Sequence, residues 1–281
     1  MGAYQSTAAY YDPSTTPVET SNNWMSNLKD TVLLSSLSIP GTQGSLVHYG
    51  GHAVQCQSWS LLDQLGAGIR FLDMYIYYSN NDIYVYTGAA TGGTLLDIPL
   101  SEINTFLGIN PTECIILRIH TESPYYDNGD QFRLTFKKTI DRYERISKRR
   151  LSDIPRLGDV RGTLVFMHNT TFITVGFKEN SEKVHVTDEW RVPSLFHRKT
   201  KWRHVHANLH RATEGKEDEM YISYCSDGCS FWAYPYAVAS HVNYYCLEYL
   251  KGFGKYRIGI VALNYPGQEL IQDIIEKNDC T

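Results

Sequence analysis

Two histidines at the ends of apolar runs are the first residues of this chain that can do chemistry. His120 closes "CIILRIH" and His168 closes "TLVFMH", while Asp188 follows "VHVT" and Tyr224 ends "MYISY". An imidazole titrates near neutral pH, so two of them with a carboxylate at one mouth can pass protons or hold a metal. The two stand on separate runs, however, without the local spacing that marks a metal site or a catalytic pair. Hydrogen-bonded rim residues are the plainer account. His48 and His52 in "HYGGH" lie four apart, the helical spacing for a ligand pair, but Gly50 and Gly51 between them disfavour a helix. A loop with incidental histidines is expected there. G-x-S-x-G is absent, and neither a metal nor a cofactor is expected.

The elements that must position these groups are short. Strand candidates are "LSI" before Pro40, "FLDMYIYY", "IYVYT", "CIILRIH", "TLVFMH", "VHVTDEW", "MYISYC" and "RIGIVALN". Helical patterns intervene at "SWSLLDQLGAG", "PLSEINTFLGI", residues 130–149, residues 193–212 and "PYAVASHVNYYCLEYLKGF". Eight strands alternating with helices predict an α/β chain folded as a single distorted TIM-type (β/α)8 barrel. Residues 1–23, rich in Ser, Thr, Asn and Pro, read as a polar arm, and residues 24–281 as the barrel.

Composition sets limits. The net charge of −4 argues against nucleic acid as a partner. The basic stretches "RISKRR" and "HRKTKWRH" are short and read as solvated helix faces. No apolar run reaches the roughly 18–20 residues that span a bilayer, and the first 23 residues carry no secretory apolar core. The chain is expected to be soluble, in the cytoplasm or peripheral to a membrane, or secreted if a leader has been removed. Met1-Gly2 with Ser6 fits a myristoylation pattern that no basic cluster reinforces. Of six cysteines, Cys114 reads as a small buried hydrophobe, and Cys225 and Cys229 either pair or lie apart.

Several stretches, in this order and spacing, carry a resemblance. They include "NWMSNL", "LSSLSIPGT", "CQSWSLLDQLGAGIRFLDMYI", "INPTECIILRI", "LGDVRGTLVFM", "YISYCSD" and "YPYAVASHVNYY". Together they resemble the X domain of phosphatidylinositol-specific phospholipase C, nearest to the single-domain bacterial type. The resemblance implies two histidines as base and acid, an arginine beside the phosphate and carboxylates that hold the histidines. At the matching positions this chain has Gln43 and Gly44 for the first histidine and its following Asp. Tyr75 stands for the arginine, Thr87 for the second histidine and Asn264 for a supporting carboxylate. Only Asp73 keeps its expected type. An amide is not basic near neutral pH and a tyrosine carries no positive charge, so the resemblance implies no useful turnover.

The leading reading is therefore a non-enzyme, a pseudoenzyme whose barrel mouth keeps a small polar ligand or lipid headgroup. Its pocket would be lined by Gln43, Asp73, Tyr75, Thr87 and Arg118. His120, His168, Asp188, Tyr224 and Asn264 complete the lining. The alternative is an active phosphoric diester hydrolase, or another enzyme, that uses substituted residues such as His120 and His168. A third reading is a storage, structural or partner-binding protein. Phe231 and Trp232, between a glycine-containing loop and an aromatic-rich helix, are rim candidates for weak membrane contact.

Burial of two such side chains is worth roughly 2–3 kcal/mol each at best. Vesicle binding is expected to be weak and reversible, at least as strong on phosphatidylcholine as on anionic mixtures, and reduced in Phe231→Ala/Trp232→Ala. Co-sedimentation measures it, and equal binding by the double variant removes the rim assignment.

Overall fold

A computed structural model describes residues 7–17, 19–88, 93–121, 129–187, 198–226, 234–252 and 254–278. Its centre is a curled sheet of parallel strands. In chain order these are β1 (Ile39–Thr42), β2 (Phe71–Ser79), β5 (Cys114–Thr121), β6 (Thr163–His168), β7 (Phe177–Lys178), β8 (Val184–Thr187), β9 (Met220–Tyr224) and β10 (Ile260–Leu263). Their lateral order is β7-β6-β5-β2-β1-β10-β9-β8, and every pairing along it is parallel. β7 and β8 end the sheet without pairing to each other among the described residues. This is the expected α/β barrel of TIM type, distorted by an open seam.

One expected barrel strand lies elsewhere. β3 (Asp82–Val85) folds back antiparallel on β2 and pairs with β4 (Thr94–Leu95), off the barrel path. Asn80 and Asn81 both take positive φ, 50° and 64°, which closes the two-residue hairpin turn between β2 and β3. The eighth barrel position falls to β7, whose two residues are too short to show a period of two.

Helices cover the outside: α1 (Leu61–Ala67), α2 (Asp97–Ile109), α3 (Gly129–Ile140), α4 (Leu157–Val160), α5 (Arg198–Glu214), α6 (Pro235–Lys251) and α7 (Gln268–Glu276). Ser60 caps α1 by accepting from Asp63 N, as its preceding position allows. α3 stops at Ile140, so "RISKRR" is not a helix face. Ile146 and Arg150 instead make single bridges to Leu164 and Gly176.

Strand alternation sorts the core into layers. Ile39, Phe71, Ile116, Val165, Met167, Phe177, Ile222, Tyr224, Ile260 and Ala262 fill the barrel interior. Leu72, Met74, Leu117, Ile119, Leu164 and Phe166 face outward against α1–α3. Val261, Leu263 and Cys225 face α5–α7. Gly41 is small of necessity, because a Cβ there would stand 2.7 Å from the Phe71 ring.

At the amino-terminal end of the strands Arg70 and Glu113 form a fully buried pair, Nε to Oε2 2.9 Å. The other guanidinium nitrogens of Arg70 donate to the Leu65, Ile69, Ser21 and Asn22 carbonyls. The segment before Trp24, expected as an arm, lies against the barrel where it is described. Tyr11 bridges Pro266, and Asp12 N donates to Tyr265 O. Cys56, Cys114, Cys225 and Cys246 are buried free thiols; Cys229 and Cys280 lie outside the described residues. No helix of the described residues is long and apolar enough to cross a membrane.

Removing one partner of a buried pair strands the other charge, which costs about 3–5 kcal/mol. Glu113→Gln is expected to lose that much stability in urea unfolding. Asp141→Asn, which breaks the exposed Lys137–Asp141 pair, should lose less than about 1 kcal/mol. Equal losses would show that Arg70 is satisfied by carbonyls alone.

Candidate active site

The interior residues at the carboxyl ends of the strands form the site. On β2, Phe71, Asp73 and Tyr75 share the inward face; on β5, Ile116, Arg118 and His120 do the same, by the alternation of a strand. The β2–β5 register places Asp73 beside Arg118 and Tyr75 beside His120. Gln43 continues the Asp73 level past the end of β1, with its N–H bonded to Leu263 O at 3.0 Å. Asn264 follows β10 at the same height. Asn264, Gln43, Asp73 and Arg118 thus make one row across β10, β1, β2 and β5.

Asp73 is the hub. Its side chain is 0% exposed, and three groups from other positions surround it. His120 Nε2 lies 2.8 Å from Oδ1. Tyr224 donates its hydroxyl to Oδ2 at 3.0 Å, and Arg118 Nη1 stands 3.9 Å from Oδ2. Burial by itself would raise the carboxyl's pKa. The His120 imidazole at ion-pair distance, the charge of Arg118 and the Tyr224 hydroxyl outweigh it, and the pKa is held below the usual aspartate value. The Asp73 N–H bonds Ser45 Oγ at 2.9 Å, and Ser45 N returns to Asp73 O. The loop after β1 therefore fixes the backbone that carries the hub.

Arg118 is held on every side. Its Nε and Nη2 meet the two oxygens of Glu179 at 3.0 and 2.5 Å, and Nη1 donates to the Tyr224 hydroxyl. Its guanidinium carbon lies 5.0 Å from the Tyr224 ring centre. Burial opposes its charge, but Tyr224, Asp73 and Glu179 more than offset that, and its pKa is raised. The His120 ring stacks on Tyr75, centroids 4.6 Å apart at 16°. Neither of its ring nitrogens makes a hydrogen bond among the described residues, and Nε2 meets Asp73 as an ion-pair contact.

Of the residues expected to line a mouth, Asp73, Tyr75, Arg118, His120 and Tyr224 come together, with Gln43 and Asn264 in the adjoining row. Gln43 Oε1 and both polar atoms of the Asn264 side chain are buried without hydrogen-bond partners. Gly44 takes φ +53°, and a Cβ there would crowd Val47 and Cys56, so a side chain at this position is strained. Thr87 follows β3; its carbonyl accepts from Tyr49 N, against the loop after β1. Asp188, Phe231 and Trp232 lie outside the described residues.

His168 does not join the mouth, contrary to expectation. It shares the outward face of β6 with Leu164 and Phe166, and its ring nitrogens meet the carbonyls of Thr170 and Val175, each at 3.0 Å. Burial, with the charge of Lys178, lowers its pKa. It fastens the loop into β7. Glu179 is the site residue that sequence reasoning missed. It follows a strand of two residues and stands 61 positions from Arg118, so no local pattern marked it. Among the described residues no group of three His, Cys, Asp or Glu side chains is placed to hold a metal.

No protein-family model matches the chain. Curated relatives do. The 1-phosphatidylinositol phosphodiesterase of Listeria monocytogenes is 27% identical over 286 residues, which span 92% of this chain and 86% of that protein. The enzyme of the same name from Staphylococcus aureus strain Newman is 24% identical over 91% of this chain and 94% of its own. The solved phosphatidylinositol-specific phospholipase C of L. monocytogenes superposes with a TM-score of 0.80 at 26% identity, over 92% of this chain and 99% of that one.

The chain is similar to bacterial phosphatidylinositol-specific phospholipases C. A phospholipase C of S. aureus studied for its membrane binding shares the fold, with a TM-score of 0.79 at 22% identity over 92% of this chain and 98% of its own. These relatives overturn the expectation of a non-enzyme, because the curated phospholipase C relatives carry the name of an enzyme across almost their whole length. Inactivity inferred from Gln43, Tyr75 and Thr87 counted only the positions where the resemblance expects catalysts. His120, which the alternative reading named, packs on Tyr75 at this mouth.

A carboxyl held below its unfolded pKa stabilises fully above the unfolded value near 3.9, and that stabilisation is lost as pH falls through the lower folded value. Asp73→Asn is therefore expected to be less stable than the wild type at pH 7, with the gap narrowing toward pH 2–3. Urea midpoints at both pH values measure it. A gap independent of pH would mean that Asp73 is not held as an ionised carboxylate.

Proposed function

We propose that this chain is a phosphoric diester hydrolase acting on an inositol phospholipid, with His120 and Asp73 as its acid–base pair and Arg118 as the cation facing the phosphate. The observation that carries the reading is the 2.8 Å contact of His120 Nε2 with the buried, ionised Asp73. A carboxylate at ion-pair distance from one ring nitrogen favours the proton on that side and leaves the other nitrogen as an acceptor. That is Nδ1, which has no partner among the described residues. Stacking on Tyr75 fixes the ring plane. The imidazole removes a proton from an attacking hydroxyl and returns one to the leaving oxygen, in a barrel mouth where such sites sit. The substrate class follows the names of the phosphodiesterase relatives.

Contact with a lipid surface fits the outer face of α5 and α6. Trp202 stacks on Tyr245 and meets Tyr249 edge-on, and Tyr244 continues the strip to Tyr10. Tyr244 is 40% exposed. α6 therefore packs on the core along one face and shows the Tyr244 ring to solvent on the other. Such rings suit a boundary between apolar and aqueous phases.

Release of inositol phosphate from phosphatidylinositol vesicles tests the activity. The wild type is expected to turn over above a buffer blank. His120→Ala should lose about 10²- to 10⁴-fold, and Asp73→Asn a comparable share through the wrong tautomer. Wild-type turnover that survives His120→Ala unchanged removes His120 from the chemistry, and no turnover at all removes the hydrolase reading.

A further inference from the structure

A phosphate that reaches Arg118 meets donors already in use. Glu179 takes Nε and Nη2 in a fork, and two oxygens of a phosphate fit that same fork. Tyr224 and Asp73 hold the other side of the guanidinium and belong to inner positions of the sheet. Asp73 is completely buried, whereas the Glu179 side chain is 14% exposed.

The backbone under Glu179 differs from that under Asp73 in the same sense. β2 pairs with β5 from Phe71 to Ile76, and on its other side β1 pairs with Phe71 and Leu72 while Ser45 bonds the Asp73 backbone. β7 has two residues and pairs only with β6 among the described residues, at the end of the sheet. Glu179 follows it with one backbone bond, N to His168 O at 2.9 Å. The loop leading into β7 is pinned from below: His168 meets the carbonyls of Thr170 and Val175, and Lys178 also donates to Thr170. Rotation of the Glu179 side chain therefore need not drag the strand or its loop.

We propose that Glu179 is a displaceable internal anion, whose carboxylate competes with the phosphate of the substrate for the same two donors of Arg118. The exchange replaces one negative charge by another, so the buried guanidinium keeps a counter-charge throughout, while Asp73 and Tyr224 keep it in place. Glu179 acts through Arg118 and is a positioning residue. It sets how strongly an anion must bind to enter. This rests on the reading of Arg118 as the cation that faces phosphate.

Isothermal titration of inorganic phosphate into the full chain, at constant ionic strength, separates competition from support. Glu179→Gln is expected to bind phosphate about tenfold more tightly than the wild type, because the competing charge is gone while the neighbouring contacts remain. Arg118→Ala in the Glu179→Gln background should remove that gain. Phosphate affinity unchanged or weakened in Glu179→Gln would overturn the proposal and make Glu179 a support for Arg118. Glu179→Asp is read in the same way should Glu179→Gln not fold, since its shorter carboxylate spans the fork poorly. A tighter site is expected, and an equal or weaker one overturns the proposal. The titration needs no turnover. A chain that hydrolyses nothing yet gains phosphate affinity in Glu179→Gln loses the hydrolase reading and keeps this one.

Discussion

A single buried carboxylate sets the geometry of the barrel mouth. Asp73 has no solvent to share its charge, and an ion in that position costs several kcal/mol unless it is paired and hydrogen-bonded. Its partners come from β5 and β9, and Glu179 after β7 joins them through Arg118. Each partner is thereby held at a fixed height and angle. Misplacing any one of them leaves a buried charge or hydroxyl without its complement. Around Asp73 itself the electrostatics admit few arrangements.

The parts of this network that were legible in the sequence are those written in strand alternation. "FLDMYIYY" and "CIILRIH" declare two strands with polar residues at alternate positions, so the pattern alone puts Asp73 with Tyr75, and Arg118 with His120, on one face of each strand. Alternation alone does not say which face of β6 is inward, and His168, expected at the mouth, shares the outward face with Leu164 and Phe166. β3 was legible as a strand but not in its place: it was expected in the barrel, and Asn80 and Asn81 at positive φ turn it back on β2. Glu179 was not legible. A two-residue strand has no period, and parallel pairing joins residues whose separation in sequence carries no signal.

The comparison with phospholipases C shows the hazard of reading function from positions alone. Gln43 and Tyr75 stand where the resemblance expects a base and a cation, and each by itself lacks the required chemistry. A site is a set of contacts, however, and an imidazole, a guanidinium and a carboxylate still meet at this mouth. The row of Asn264 and Gln43 beside them adds neutral polar groups with unfilled hydrogen-bonding capacity.

The Arg70 cluster at the other end of the barrel has a consequence for the order of events in folding. Arg70 gathers carbonyls from 48 and 49 residues earlier and a carboxylate from 43 residues later. A chain made from its amino terminus exposes Ser21 and Asn22 long before Glu113 exists. The guanidinium cannot be buried until its counter-charge has been synthesised and β5 has come alongside β2. The stretch around Trp24 and Met25, whose N–H also meets Glu113, must therefore wait. Ser21 to Met25 precede every strand of the sheet, yet their places wait on a residue from the far side of β2.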